Sequence, residues 1–136
     1  MNRRTMKRNG QSGVMLIEAL IGILIFSIGI LALLGMQATA MRATIDAKYR
    51  SEAAFLANEI IGVMWVNRAN ISQYATASCA SNTECNAWRT RVQTILPSGA
   101  AAIAISGQQV TVTVSWQRPG ESTVSNHSAV AQINNS

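Results

Sequence analysis

Residues 14–36 form a run of 23 positions whose only ionisable side chain is Glu18. As a helix rising 1.5 Å per residue the run spans about 34 Å, enough to cross a hydrocarbon core of about 30 Å. Glu18 is the anomaly. An ionised carboxylate in hydrocarbon costs about 2.5–3.5 kcal/mol even on lenient insertion scales, so something must offset it.

Three readings of the N-terminus compete. A secretory signal peptide fits the basic start and the small-x-small QATA at residues 37–40, but its apolar region should be only about 7–15 residues long. A signal anchor fits the length and leaves Glu18 unexplained. Cleavage after Gly13 accounts for the glutamate, because it would give Val14 a free α-amino group one helical turn from Glu18, and residues four apart share a helix face. The ammonium could then neutralise the carboxylate within one chain or, more usefully, on a neighbouring one. A charge at membrane depth would become a device for registering stacked helices.

A short basic leader, Gly13, one apolar residue and LIEAL at residues 16–20 resemble the prepilin signature of type IV pilins and type II secretion pseudopilins. The resemblance implies that a prepilin peptidase cuts between Gly13 and Val14 and N-methylates Val14. It also implies that Glu18, the fifth mature residue, pairs with a neighbour's N-terminus during assembly. The sequence departs from the family at Val14, where phenylalanine is usual.

The formal net charge of +5 reports mainly this leader, since Arg3, Arg4, Lys7 and Arg8 supply four of the positive charges. Cations flanking a membrane segment stay on the cytoplasmic side, which places the C-terminal part in the periplasm. Roughly 100 residues are then left for a soluble part with a small core, expected to need help from the entering helix or from neighbouring subunits.

No proline interrupts the chain from Val14 to Pro97. Arg42, Asp46 and Arg50 form a charged stripe at spacings of four, and Leu56, Ile60, Val63 and Met64 an apolar one. One helix is expected from about Val14 to about Val66, near 80 Å long at 1.5 Å per residue, with a membrane half at 14–36 and an amphipathic half at 37–68. Gly22, Gly29 and Gly35 serve either close helix packing or simply reflect membrane composition.

ANISQYATASCASNTEC reads as a loop. Within it Cys79 and Cys85 are expected to form a small-loop disulfide in an oxidising compartment, with two free thiols as the alternative. NAWRTRVQTILPSG places Trp88, Val92, Ile95 and Leu96 on one stripe of a short helix ended by Pro97 and Gly99. QQVTVTVSWQ alternates as a half-buried strand, RPGE is a turn, STVSNHSAVAQI its hairpin partner and AIAIS a third strand. The fold class is α+β: a long N-terminal helix, its outer half packed on a small antiparallel sheet, as the pilin resemblance also implies. The parts are a leader at 1–13, removed; the two helix halves; and a loop, short helix and sheet at 69–136.

No catalytic constellation can be assembled from one histidine, His127, and one aspartate, Asp46, and no set of metal ligands or cofactor motif is visible. Arg89, Arg91 and Trp88 invite a nucleic-acid reading. A charge of about +1 without the leader, and arginines set apart on a helix, disfavour it. The order W…V…LPSG…VTVTVSW resembles minor pilins of the PilV type, the pilus modification proteins. That implies a minor pilin that primes assembly at the pilus tip and supports twitching, adhesion or DNA uptake. Its partners would be other minor pilins, the major pilin, a tip adhesin and the inner membrane. A type II secretion pseudopilin and a DNA-binding minor pilin are the alternatives.

Overall fold

The computed structural model describes residues 11–134; the leader cations Arg3, Arg4, Lys7 and Arg8 lie outside them. The chain divides into two units, Met1–Ala43 and Thr44–Ser136, and helix α1 (Gln11–Val66) contributes to both.

In the first unit every side chain described on α1 is exposed, including Val14, Leu20, Phe26 and Leu33. A water-facing helix would segregate apolar and polar faces, and this one is apolar all round, as a membrane span is. The helix Gly13–Val66 contains a window of mean hydropathy 2.7, long and apolar enough to cross a membrane. Two of its hydroxyls bond back to the helix: Ser27 Oγ donates to the Ile23 carbonyl at 2.7 Å and Thr39 Oγ1 to that of Gly35 at 3.2 Å. Such back-bonding keeps polar groups satisfied where no water is available.

In the second unit the remaining part of α1 turns one stripe inward. Ala53, Leu56, Ala57, Ile60 and Met64 are fully buried and Val63 packs against them. The helix ends without proline or glycine. Asn67 makes the last helical bond, its N–H donating to the Val63 carbonyl at 3.0 Å, and its side chain is drawn into a polar cluster described below. Two 3₁₀ turns, Arg68–Tyr74 and Cys79–Ser81, follow. The segment expected to be a plain loop is therefore helical in turns, and it buries Ile71, Tyr74 and Cys79.

Helix α2 spans Thr83–Ile95 and starts before the Asn86 end expected from its apolar stripe. The reason is a cap: the Asn82 side chain accepts the Cys85 N–H at 3.0 Å, and Glu84 sits in the first turn, where the helix dipole favours an anion. Cys85, Trp88, Val92 and Leu96 form its buried stripe. Ile95 was expected there and is instead 42% exposed; it lies one position off the inward-facing row, which Leu96 completes.

The α2 stop is tight. Leu96 N–H closes on the Val92 carbonyl at 3.0 Å, Pro97 follows, and Ser98 takes a left-handed φ of 49°. A Cβ at Gly99 would come within 2.4 Å of the Val92 carbonyl oxygen and 3.0 Å of that of Leu96. Only glycine fits there.

Three strands complete the unit: β1 (Ala100–Ser106), β2 (Gln109–Gln117) and β3 (Val124–Gln132), antiparallel in that order. Ser106 pairs with Gln109, so a two-residue loop joins β1 to β2. Gly107 at φ +60° supplies the conformation such a hairpin demands at its first central position. Period-two alternation is obeyed on β2: Val110, Val112, Val114 and Trp116 are fully buried against the helices. Each such side chain contributes about 1.5–3 kcal/mol by leaving water.

Candidate functional site

Two groups of residues bear on function. The first is the start of α1. Gly13, Val14 and Glu18 all lie in continuous helix, so the α-carbon of Val14 stands one turn before that of Glu18, on the same face. The Val14 side chain is 66% exposed, that of Glu18 is exposed, and a Cβ on Gly13 would meet nothing within 4 Å. Among the described residues Glu18 forms no ion pair. Gly22, Gly29 and Gly35 likewise border open space.

The second group fastens α1 to the rest of the second unit. Trp88 Nε1 donates to the Leu56 carbonyl of α1 at 2.8 Å, inside the core. Arg91 Nη2 meets Glu59 Oε1 at 2.5 Å on the rim; both side chains are partly exposed, so this pair contributes at most about 1 kcal/mol. The pair also bears on two of the residues Trp88, Arg89 and Arg91. Trp88 is buried and Arg91 is held by a carboxylate. At the far end of the sheet Asp46 Oδ2 accepts from Arg50 Nε at 3.0 Å, Arg118 Nη1 lies 4.0 Å from Asp46 Oδ1, and Arg118 Nη2 meets Glu121 at 2.7 Å. Asp46 is thus a joint between helix and β2–β3 turn.

Cys79 and Cys85 are joined by a disulfide, with Cα atoms 5.2 Å apart. It ties the second 3₁₀ turn to α2. Beside it Tyr74 Oη donates to Glu84 Oε2 at 2.5 Å, and Asn67 Nδ2 donates to both Tyr74 Oη and Glu84 Oε2 at 2.9 Å. Burial raises the Tyr74 pKa above its ordinary value, and the hydrogen bond to Glu84 adds to the shift. This cluster closes the end of α1 against the start of α2. It was invisible in the sequence, where Asn67, Tyr74 and Glu84 share no spacing or motif; the Asn82 cap two residues before an acidic side chain was the one readable signal nearby.

His127 sits on the core side of β3, half-buried opposite Val114. Among the described residues no three His, Cys, Asp or Glu side chains stand together as a metal would require. An open polar hollow of about 360 Å³ lies over the Tyr74 cluster.

An apolar membrane-length helix that continues into the core of a small antiparallel three-stranded sheet is the architecture of a pilin. The model of the family described as type IV pilin Tt1218 matches residues 35–98, from the exposed helix through α2. The match supports a type IV pilin-like protein. The matched segment excludes Gly13, Val14 and Glu18, so it supports the assignment on residues other than those of the N-terminal signature. No curated protein and no solved structure matches the chain. Pilins are structural subunits, and a likeness of this kind fits anchoring in a membrane and assembly with other pilus components.

Proposed function

We propose that the chain is a minor pilin of the PilV type, inserted in the inner membrane with its sheet in the periplasm and then drawn into the tip of a type IV pilus. The observation that carries this reading is Glu18: the lone carboxylate of the apolar stretch 14–36 of a continuous helix, one turn after Val14. Cleavage between Gly13 and Val14 by a prepilin peptidase, followed by N-methylation of Val14, would create the cation that a neighbouring subunit's Glu18 needs. Transfer of the helix into a bundle of like helices would satisfy a charge that is costly in lipid, so the unpaired state favours assembly. The sheet and the disulfide-tied segment at 69–87 would select the partners, other minor pilins, the major pilin and a tip adhesin. Twitching, attachment or DNA uptake would follow from priming the filament.

Glu18→Ala separates anchoring from assembly. Removing the carboxylate relieves about 2.5–3.5 kcal/mol of insertion cost, so the variant should partition into membranes at least as well as the parent. It should nevertheless be missing from sheared surface filaments, while mass spectrometry of the parent should find N-methylated Val14. An intact Met1, a terminus at Met41, or filament incorporation of Glu18→Ala at the parental level would overturn the proposal.

A further inference from the structure

The polar hollow over the Tyr74 cluster has a neighbour. Its own walls carry Asn67, Asn70, Gln73 and Ser81. Beside it a second hollow, of about 300 Å³, is lined by Ile60, Val63, Ala87 and Trp88, with Arg91 at its rim. Thr83 and Glu84 line both. The first turn of α2 is therefore a common wall, with hydrogen-bonding groups on one side and hydrocarbon on the other.

Charge is spread unevenly over the pair. Among the described residues Glu84 is the one Asp, Glu, Lys or Arg that lines the polar hollow, and it forms no ion pair. Its Oε2 accepts from Tyr74 and Asn67, and its Oε1 takes part in neither bond. Arg91, the cation at the apolar hollow, is already met by Glu59. Arg68 and Arg89 line neither hollow. An uncompensated carboxylate thus stands between an apolar depression and a neutral polar one. A bound segment that lays hydrocarbon against Val63 and Ala87 and brings a cation to Glu84 complements both, and an acidic segment is repelled.

We infer that the two hollows together dock an extended segment of a partner protein that carries an aliphatic side chain and, two residues on, a lysine or arginine. Side chains two apart on an extended chain point the same way, about 6.5–7 Å from one another, so they straddle a single wall. The aliphatic group enters the apolar hollow, and the cation reaches Glu84 from the polar one, where the side-chain amides of Asn70 and Gln73 offer it further acceptors. This names the chemistry of a partner for the segment at 69–87 and rests on the partner-selecting reading given to it above. The site shares no residue with the helix pairing through Glu18.

The test is a titration of the ¹⁵N-labelled full chain in nonionic micelles with the tripeptide acetyl-Leu-Ser-Lys-amide, read at the indole N–H resonances. Trp88, at the apolar hollow and bonded to the Leu56 carbonyl, should shift saturably, while Trp116, which lines neither hollow, should not. Exchanging the peptide's lysine for glutamate should abolish the shift over the same concentrations. Exchanging its leucine for alanine should weaken binding about tenfold. Glu84→Gln keeps the side-chain shape and removes the charge; it should weaken binding about three- to fivefold, as a solvent-exposed ion pair allows. Ala87→Leu, at an exposed position of α2, fills the apolar hollow without touching the Tyr74 cluster and should make the leucine and alanine peptides bind alike. No saturable shift at Trp88, equal binding of the lysine and glutamate peptides, or an unchanged affinity of Glu84→Gln sinks the inference. All the expected responses from a chain that never enters filaments uphold the site and overturn the pilus reading instead.

Discussion

Trp88 and Trp116 offer a controlled comparison, because both indoles are fully buried in one core and differ in what meets the ring N–H. Trp88 Nε1 donates to the Leu56 carbonyl at 2.8 Å; Trp116 Nε1 is buried without a hydrogen-bond partner. Replacing either with phenylalanine removes a similar apolar area and leaves a similar void. At Trp88 the change also deletes a hydrogen bond with a net value of about 0.5–1.5 kcal/mol. The Leu56 carbonyl is not orphaned, since it keeps its helical partner. At Trp116 the change deletes a buried unsatisfied donor, which relieves about 1–3 kcal/mol. Trp88→Phe should therefore be the more destabilising by about 2–4 kcal/mol. Urea titration of the full chain in detergent micelles, followed by far-ultraviolet circular dichroism, would read the difference. With a slope of about 1–2 kcal/mol/M the midpoints should separate by at least about 1 M. Equal losses, or a larger loss at Trp116, would refute the assignment of different hydrogen-bond states to the two rings.

Two further outcomes follow from the second unit. Gly99→Ala drives a methyl into the Val92 and Leu96 carbonyls and should cost about 1–3 kcal/mol, whereas Gly62→Ala, in an open position on α1, should stabilise by about 0.8–1 kcal/mol through helix propensity; thermal melts of the pair should move in opposite directions. Because the folded Tyr74 pKa is raised, its contribution is fully present below the unfolded value near 10 and is lost as pH climbs through the window above it. Stability should fall above about pH 10, and Tyr74→Phe should remove that part of the fall.

The antiparallel hairpins were legible because their information is local. Alternation of Val110, Val112, Val114 and Trp116 with polar residues set both the strand and its buried face, and RPGE marked the turn after it. Partners distant in sequence were not legible. Nothing near Trp88 announces that its N–H will reach Leu56, 32 residues away, and Asn67, Tyr74 and Glu84 meet only because α2 folds back over the end of α1. The loop reading of 69–85 failed for a related reason: composition reports polarity, while Ile71, Tyr74 and Cys79 enter the common core and the segment coils into 3₁₀ turns.

The sequence by itself therefore determined a membrane-length helix with one charge, the glycine and glutamate of a prepilin-like start, and a small sheet after it. Periodicity and hydropathy are properties of neighbouring residues and need no fold to be read. Tertiary structure decided which indole is satisfied, that the Asn82 cap carries the start of α2 back to Thr83, and that Thr76 closes one edge of the sheet while β3 stays open. Those outcomes depend on which surfaces meet in three dimensions, and a hydrogen bond between distant residues exists only after the chain has brought them together.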